Sequence, residues 1–236
     1  MLFNPSPKIE AISIAGSHVC HVIDDAVLEP ERWVEYAQEH RGAFSMAPFN
    51  AYPGLEFHLP ELMSARLDDF FRLHIRRLIG ARRTLQMYSR LSLVTLAPHE
   101  LAPIQWLCHR DRMGVPPAQC VAASVLYLFN DESLGGTSFF MPRRSAEETE
   151  DLMRRAAVTA PNAFAGETGI VPGYLVESNE FFERVCTVPP RWNRMIFYDG
   201  SLFHSPDIRS PHKLNADVIR GRLTLNGFFT CSRIAS

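Results

Sequence analysis

The spacing of apolar residues along the chain changes near residue 84. Before that point it follows a helical period. In the segment opened by Pro30, the side chains of Trp33, Val34, Tyr36 and Ala37 recur at helical spacing and Gly42 follows, a proline-first, glycine-last pattern that predicts a helix. A second helix is predicted from Pro60. Leu62, Met63, Leu67, Phe70, Phe71, Ile75 and Leu78 form its apolar stripe, Gly80 ends it, and Arg66, Arg72, Arg76 and Arg77 make a solvated opposite face. From Thr84 onward the runs become short and rich in β-branched, aromatic and aliphatic residues. Strands are predicted at Thr84–Leu96, Ile104–Cys108, Val121–Phe129, Thr137–Met141, Arg194–Tyr198 and Arg222–Thr230, with turn residues such as Asn130-Asp131, Gly135-Gly136 and Asp199-Gly200 between them. A polar insertion, Arg143 to Pro190, carries one predicted helix with Ser145 as its N-cap and Glu148 closing a capping box. The pattern therefore predicts a mainly β protein with flanking helices, an antiparallel sandwich or small barrel rather than βαβ units. It reads as a single domain over 1–236, with a helical support in 1–83 and a β core in 84–230.

Composition narrows the range of functions. The 236 residues carry 24 Lys plus Arg against 26 Asp plus Glu, a formal net charge of −2. Such a balance leaves no electrostatic footprint for nucleic acid or for an anionic membrane surface. A 46% hydrophobic and 21% charged composition is that of a folded chain. The longest apolar run, Cys120 to Phe129, is too short to span a bilayer. Five cysteines without a C-x-x-C pair, and no secretory signal pattern at the start, predict reduced thiols and a cytoplasmic location.

Nine histidines are present, and most carry no chemistry-bearing neighbours. His18 and His21 form an H-x-x-H with no second pair nearby to complete a zinc site. His109-Arg110-Asp111 differs. On an extended chain, residues two apart share a face, so an imidazole and a carboxylate are presented together. His204 closes a second hydrophobic segment that passes through the Asp199-Gly200 turn. Two imidazoles and one carboxylate occupy one face of a metal and leave its other positions open, the arrangement of non-haem Fe(II) sites. In the last strand, alternation puts Arg222, Thr224 and Asn226 on one face. A guanidinium there meets either an anion in a barrel interior or a surface carboxylate.

These motifs occur in order: His109-x-Asp111, Val125–Leu128, Gly135–Phe139, Ile196–Gly200 with His204, and Gly221–Thr224. Over roughly residues 84–230 the chain resembles the Fe(II)/2-oxoglutarate-dependent dioxygenases, in particular the prolyl-hydroxylase-like branch and its uncharacterised bacterial members. The resemblance implies a double-stranded β-helix (jelly-roll, cupin-like) core covered by the N-terminal helices. It also implies Fe(II), 2-oxoglutarate and O2 as cofactor and co-substrates. By the same resemblance His109, Asp111 and His204 match the iron ligands, and Arg222 assisted by Thr224 matches the anchor for the distal carboxylate of 2-oxoglutarate. Tyr127 falls where a hydroxyl often stands near that carboxylate. The interval from His204 to Arg222 is longer than the family's usual one, which leaves Arg220 as a competing anchor.

The implied activity is oxidation of a C–H bond, with release of succinate and CO2. Asp111 stands where halogenating relatives carry a small residue, which favours hydroxylation. The compact single domain leads us to expect a small-molecule substrate, such as an amino acid or natural-product intermediate, and a monomer or homodimer is expected to take it. Gln105 and Tyr88 are the candidate substrate contacts, and Trp106 is expected to face the helix layer. The insertion 143–190 and the loop Ala43–Leu59, with Phe44, Phe49, Tyr52 and Phe57, are the expected lids. The competing reading is a metal-bearing but non-catalytic binding or sensing module on the same fold.

Overall fold

The computed structural model describes residues 1–46, 51–111 and 114–233; Phe49 lies outside the described residues. Its strands are β1 (Glu10–Ala15), β2 (His18–Ile23), β3 (Ser45–Met46), β4 (Gly54–His58), β5 (Ala81–Val94), β6 (Gln119–Tyr127), β7 (Thr137–Pro142), β8 (Phe182–Val188), β9 (Met195–Asp199), β10 (Phe203–Pro206) and β11 (Arg222–Arg233). Its helices are α1 (Glu31–Glu39), α2 (Glu61–His74), α3 (Ala146–Val158) and α4 (Pro161–Thr168). The strands form an eight-stranded sheet in the order β1-β2-β9-β6-β11-β5-β4-β3 and a three-stranded sheet in the order β10-β7-β8. Every pairing between them is antiparallel.

Alternation along β11 determines the layers. Leu223, Leu225 and Phe229 face outward into a core shared with Trp33 and Ala37 of α1 and Leu67, Phe70 and Phe71 of α2. Phe71 stacks on Phe229 at 4.0 Å. The N-terminal helices therefore cover the outer face of the large sheet, as expected. Between the sheets lies a second core, where Tyr127, Ile196 and Tyr198 meet Leu134, Phe139 and Val188. The outer face of the small sheet is closed by α3 and α4, which pack Leu152, Ala156 and Phe164 over Phe140, Phe182 and Phe203. The capping box of α3 forms as expected: Ser145 Oγ accepts from the Glu148 amide, and the Glu148 carboxylate accepts from the Ser145 amide.

Four expectations need correction. Residues 1–83 are not only a helical support, because β1 to β4 extend both ends of the large sheet. These strands have two to six residues, too few for a period-2 pattern to stand out beside two amphipathic helices. Ile104–Cys108 is not a strand. Pro103 lacks an N–H for a ladder, and Pro103–Trp106 forms a 3-10 turn instead, with Gln105 Oε1 accepting from the Ala102 amide at 2.9 Å. The insertion 143–190 and the expected lid 43–59 are also more regular than loops: the first contributes α4 and β8, the second β3 and β4. Trp106 does face a helix, but its neighbour is Phe164 of α4 rather than the N-terminal pair.

Candidate metal centre

His109 reaches the small sheet by a single bridge. Its amide donates to the His204 carbonyl and the His204 amide donates to the His109 carbonyl, both at 2.9 Å. This pairing sets the two rings 4.3 Å apart, centroid to centroid. Asp111 is held next to them by its amide, which donates to the Gly200 carbonyl at 2.9 Å. Gly200 has a steric role beyond its turn, since a Cβ there would stand 3.2 Å from Asp111 Cβ and 3.0 Å from Val121 Cγ1. Asp111 Oδ1 lies 3.8 Å from His109 Nε2, and Asp111 Oδ2 lies 3.5 Å from His204 Nε2. One ligand atom from each residue falls within 4.8 Å of the others.

The chemistry of these donors fits a divalent transition metal. Asp111 Oδ2 is buried without a hydrogen-bond partner, a costly state for a carboxylate that a cation relieves. His204 Nδ1 lies 3.0 Å from the Leu202 carbonyl; a proton held there leaves the Nε2 lone pair for a ligand bond. Burial, and then the nearby His204 and Arg90 charges, hold the His109 imidazole well below its usual pKa, which keeps it neutral and able to ligate. Burial raises the Asp111 pKa, against the opposing pull of His204 and Arg90. Side-chain exposures of 7% for His204, 9% for Asp111 and 29% for His109 put the open side of the cluster at His109.

The same cavity is lined by Arg222 and Thr224. Arg222 is buried, and its Nε and Nη2 donate to the carbonyls of Gly135 at 3.0 Å and Gly136 at 2.8 Å. Those bonds occupy the side-on edge of the guanidinium and leave the donors of its end-on edge unused by them. Arg220, by contrast, pairs with Asp217 and its side chain is 80% exposed, away from the cavity. Thr224 Oγ1 accepts from Asn226 Nδ2 at 3.1 Å. Tyr127 does not line the cavity; its hydroxyl bonds Thr137 Oγ1 at 2.8 Å, and Thr137 is the residue that does.

The Gly135-Gly136 turn therefore aims Arg222 as well as joining strands. Gly135 has φ +84°, and a Cβ there would meet the Asp207 carbonyl oxygen at 2.0 Å. Gly135→Ala is expected to cost at least about 3 kcal/mol, a loss of roughly 6–12 °C in melting temperature. Gly42→Ala, which opens on empty space, is the control and should stay within about 0.5 kcal/mol. Thermal denaturation of the two variants checks this.

Of the two candidate substrate contacts, the structure brings one to the cavity. Gln105 lines it, but its amide is engaged: Nε2 donates to the Tyr52 carbonyl at 3.1 Å, and Oε1 caps the 3-10 turn. Tyr88 is 42% exposed and stacks on Phe228 at 4.8 Å, outside the lining. Other residues fill the gap, and among them Arg90, Tyr174 and Tyr198 are not singled out from the sequence. Arg90 and Asn226 sit directly opposite one another on β5 and β11, and both line the cavity with Tyr52, Tyr174 and Tyr198. Tyr198 stands edge-on to His204 at 4.8 Å. Burial pushes the Tyr52 hydroxyl up to about 12, against the Arg222 and Arg90 charges. An alternating-position count along the predicted strand Thr84–Leu96 would have put Arg90 on one face with Ser92, but only the pairing shows which face is inside.

The eight- and three-stranded sheets enclosing this cavity make the fold a double-stranded β-helix, as the resemblance implies. The same fold occurs in the non-haem α-ketoglutarate-dependent carbocyclase SnoK of nogalamycin biosynthesis, at TM-score 0.53 and 17% identity over 91% of this chain and 80% of that chain. The chain belongs to DUF6445, a family of unknown function whose sequence profile matches residues 5–229. More distant similarities include a Pseudomonas putida prolyl-4-hydroxylase, at TM-score 0.47 and 15% identity over 93% of this chain and 95% of that chain. HygX from Streptomyces hygroscopicus, solved with nickel and 2-oxoglutarate bound, matches at TM-score 0.47 and 12% identity, over 91% of this chain and 82% of that chain. No curated protein matches the sequence.

Proposed function

We propose that this protein is a non-haem Fe(II)- and 2-oxoglutarate-dependent oxygenase that hydroxylates, or otherwise oxidises, a C–H bond of a small molecule. The observation that carries this reading is one cavity lined both by the His109, Asp111 and His204 donors and by the buried Arg222. His109, Asp111 and His204 hold the metal on one face. Arg222, with Thr224 beside it, pairs the distal carboxylate of the co-substrate, while Tyr127 acts through Thr137. When bound, the metal with 2-oxoglutarate and O2 supplies the oxidising power, and succinate and CO2 are the co-products. The protein's contribution is orientation and electrostatics in a partly closed site. The fold shared with an α-ketoglutarate-dependent carbocyclase of natural-product biosynthesis supports a small-molecule substrate.

Anaerobic calorimetry of the purified protein with Fe(II), or with Mn(II) as a redox-inert substitute, tests this reading. 2-Oxoglutarate should bind tightly only after the metal. Oxygen electrode traces should then show uptake matched by succinate. Metal binding without any 2-oxoglutarate binding would instead leave a non-catalytic metal-bearing module.

A further inference from the structure

The cavity contains a second guanidinium that the proposed co-substrate does not use. Arg90 and Arg222 lie on neighbouring strands, with Arg90 opposite Asn226 and Arg222 opposite Val94. Four residues therefore separate their levels, about 13 Å along the strand. A ligand tied to both the metal cluster and Arg222 leaves Arg90 for another group. Arg90 is close enough to the cluster for its charge to act on both His109 and Asp111.

How Arg90 is held indicates what it is positioned to bind. Its Nη1 pairs with Glu56 Oε1 at 2.8 Å, and the two side chains are only 14% and 3% exposed. Its guanidinium lies over Phe228, 4.8 Å from the ring centroid, and over Tyr52 at 5.6 Å. Yet Arg90 Nε is buried with no hydrogen-bond partner. Glu56 thus takes the Nη1 side and leaves the Nε–Nη2 edge, whose two parallel N–H bonds match the two oxygens of a carboxylate. The protein uses that same edge elsewhere: Arg194 Nε and Nη2 clasp the two oxygens of Asp24 at 2.6 and 3.0 Å. An orphaned charged donor inside a ligand cavity is a cost that a bound anion removes.

Resting on the oxygenase reading, we propose that the Nε–Nη2 edge of Arg90 is the receptor for a carboxylate of the primary substrate, which is therefore a small carboxylic acid. Glu56 fixes the guanidinium through Nη1, and the Phe228 and Tyr52 rings shield it from water. The bond to be oxidised then belongs to the part of the acid that reaches from Arg90 towards His109.

Calorimetric titration with matched probes tests this: the standard L-amino acids and simple aliphatic and aromatic acids, each beside its carboxamide. Both the Mn(II)/2-oxoglutarate-loaded protein and the metal-free protein are titrated. At least one acid should bind the wild type about 10- to 100-fold more tightly than its amide. Arg90→Lys keeps a cation for Glu56 but loses the fork, and should bind acid and amide alike. The double variant Glu56→Gln/Arg90→Met removes the pair without leaving a buried charge behind, and should behave the same way. The proposal is overturned if amides bind as well as acids, if no acid binds up to about 10 mM, above the usual KM range, or if Arg90→Lys keeps the preference. It is also overturned if Arg90→Lys loses 2-oxoglutarate as Arg222 variants do, since Arg90 then belongs to the co-substrate. A wild type that never binds 2-oxoglutarate defeats the oxygenase reading instead, and the metal-free titrations still decide the role of Arg90.

Discussion

Replacing Asp111 with alanine is expected to stop substrate-dependent succinate release while making the metal-free protein more stable. Both effects come from one buried carboxylate. Asp111 is 9% exposed, its Oδ2 has no hydrogen-bond partner, and burial raises its pKa above the usual 3.8. Keeping such a group charged and unpartnered costs about 1–3 kcal/mol, a cost that a metal bound at the cluster would recover. Loss of the ligand should weaken Mn(II) binding by more than the ~100-fold that an outer-shell partner controls. The melting temperature of the metal-free variant should rise by roughly 2–4 °C for each kcal/mol relieved.

The sign of the pH dependence follows. A carboxylate whose folded pKa is raised destabilises the fold when ionised, so its cost is full at pH values above the folded pKa. The cost fades as pH falls through that value and is gone below 3.8, where folded and unfolded states are both protonated. The advantage of Asp111→Asn over wild type should therefore be largest near neutral pH and shrink on acidification, provided metal is absent. Urea titrations with a chelator present measure it. An Asp111→Ala enzyme with wild-type turnover would sink the assignment of this residue, and an advantage growing at low pH would refute the electrostatic account.

Arg222→Met is the other change with a large consequence. Truncating one partner of a buried, hydrogen-bonded charge pair removes about 2–5 kcal/mol, so affinity for 2-oxoglutarate in the metal-loaded protein should fall about 30-fold or more. The same variant leaves the carbonyls of Gly135 and Gly136 without their guanidinium donors, so stability should fall by about 2–4 kcal/mol as well. Arg222→Lys restores the charge but cannot bond both carbonyls and a carboxylate, and should recover only part of each loss. Arg220→Ala is the discriminating control. Its guanidinium is exposed and paired to Asp217, so its removal should leave 2-oxoglutarate affinity unchanged. If Arg220→Ala and Arg222→Met lose affinity alike, the anchor is wrongly assigned.

Much of this arrangement can be read from the chain. Period-2 alternation in Arg222–Thr230 separates Arg222, Thr224 and Asn226 from Leu223 and Leu225, and the structure keeps that division to the last residue of the triplet. His109-x-Asp111 and His204 fall together although the local reason is not the expected one. A reciprocal bridge between His109 and His204, rather than a strand over Ile104–Cys108, brings them into contact. Pro103 and the Gln105 cap bend that stretch into a 3-10 turn, and the motif survives because its geometry depends on a long-range pairing.

Local pattern thus determined which segments alternate, where the two N-terminal helices begin, and which ionisable residues are spaced for a shared face. These properties depend on neighbours a few positions apart, and a sequence displays them directly. Tertiary structure alone decided which faces meet. It put Arg90 and Tyr52 on the lining of one cavity, with Glu56 paired to Arg90, turned Tyr88 out of that lining, and placed Arg222 rather than Arg220 on it. Each outcome rests on strand pairing or loop closure across tens of residues, where the free energy comes from burial shared between distant segments and leaves no periodic trace in either one.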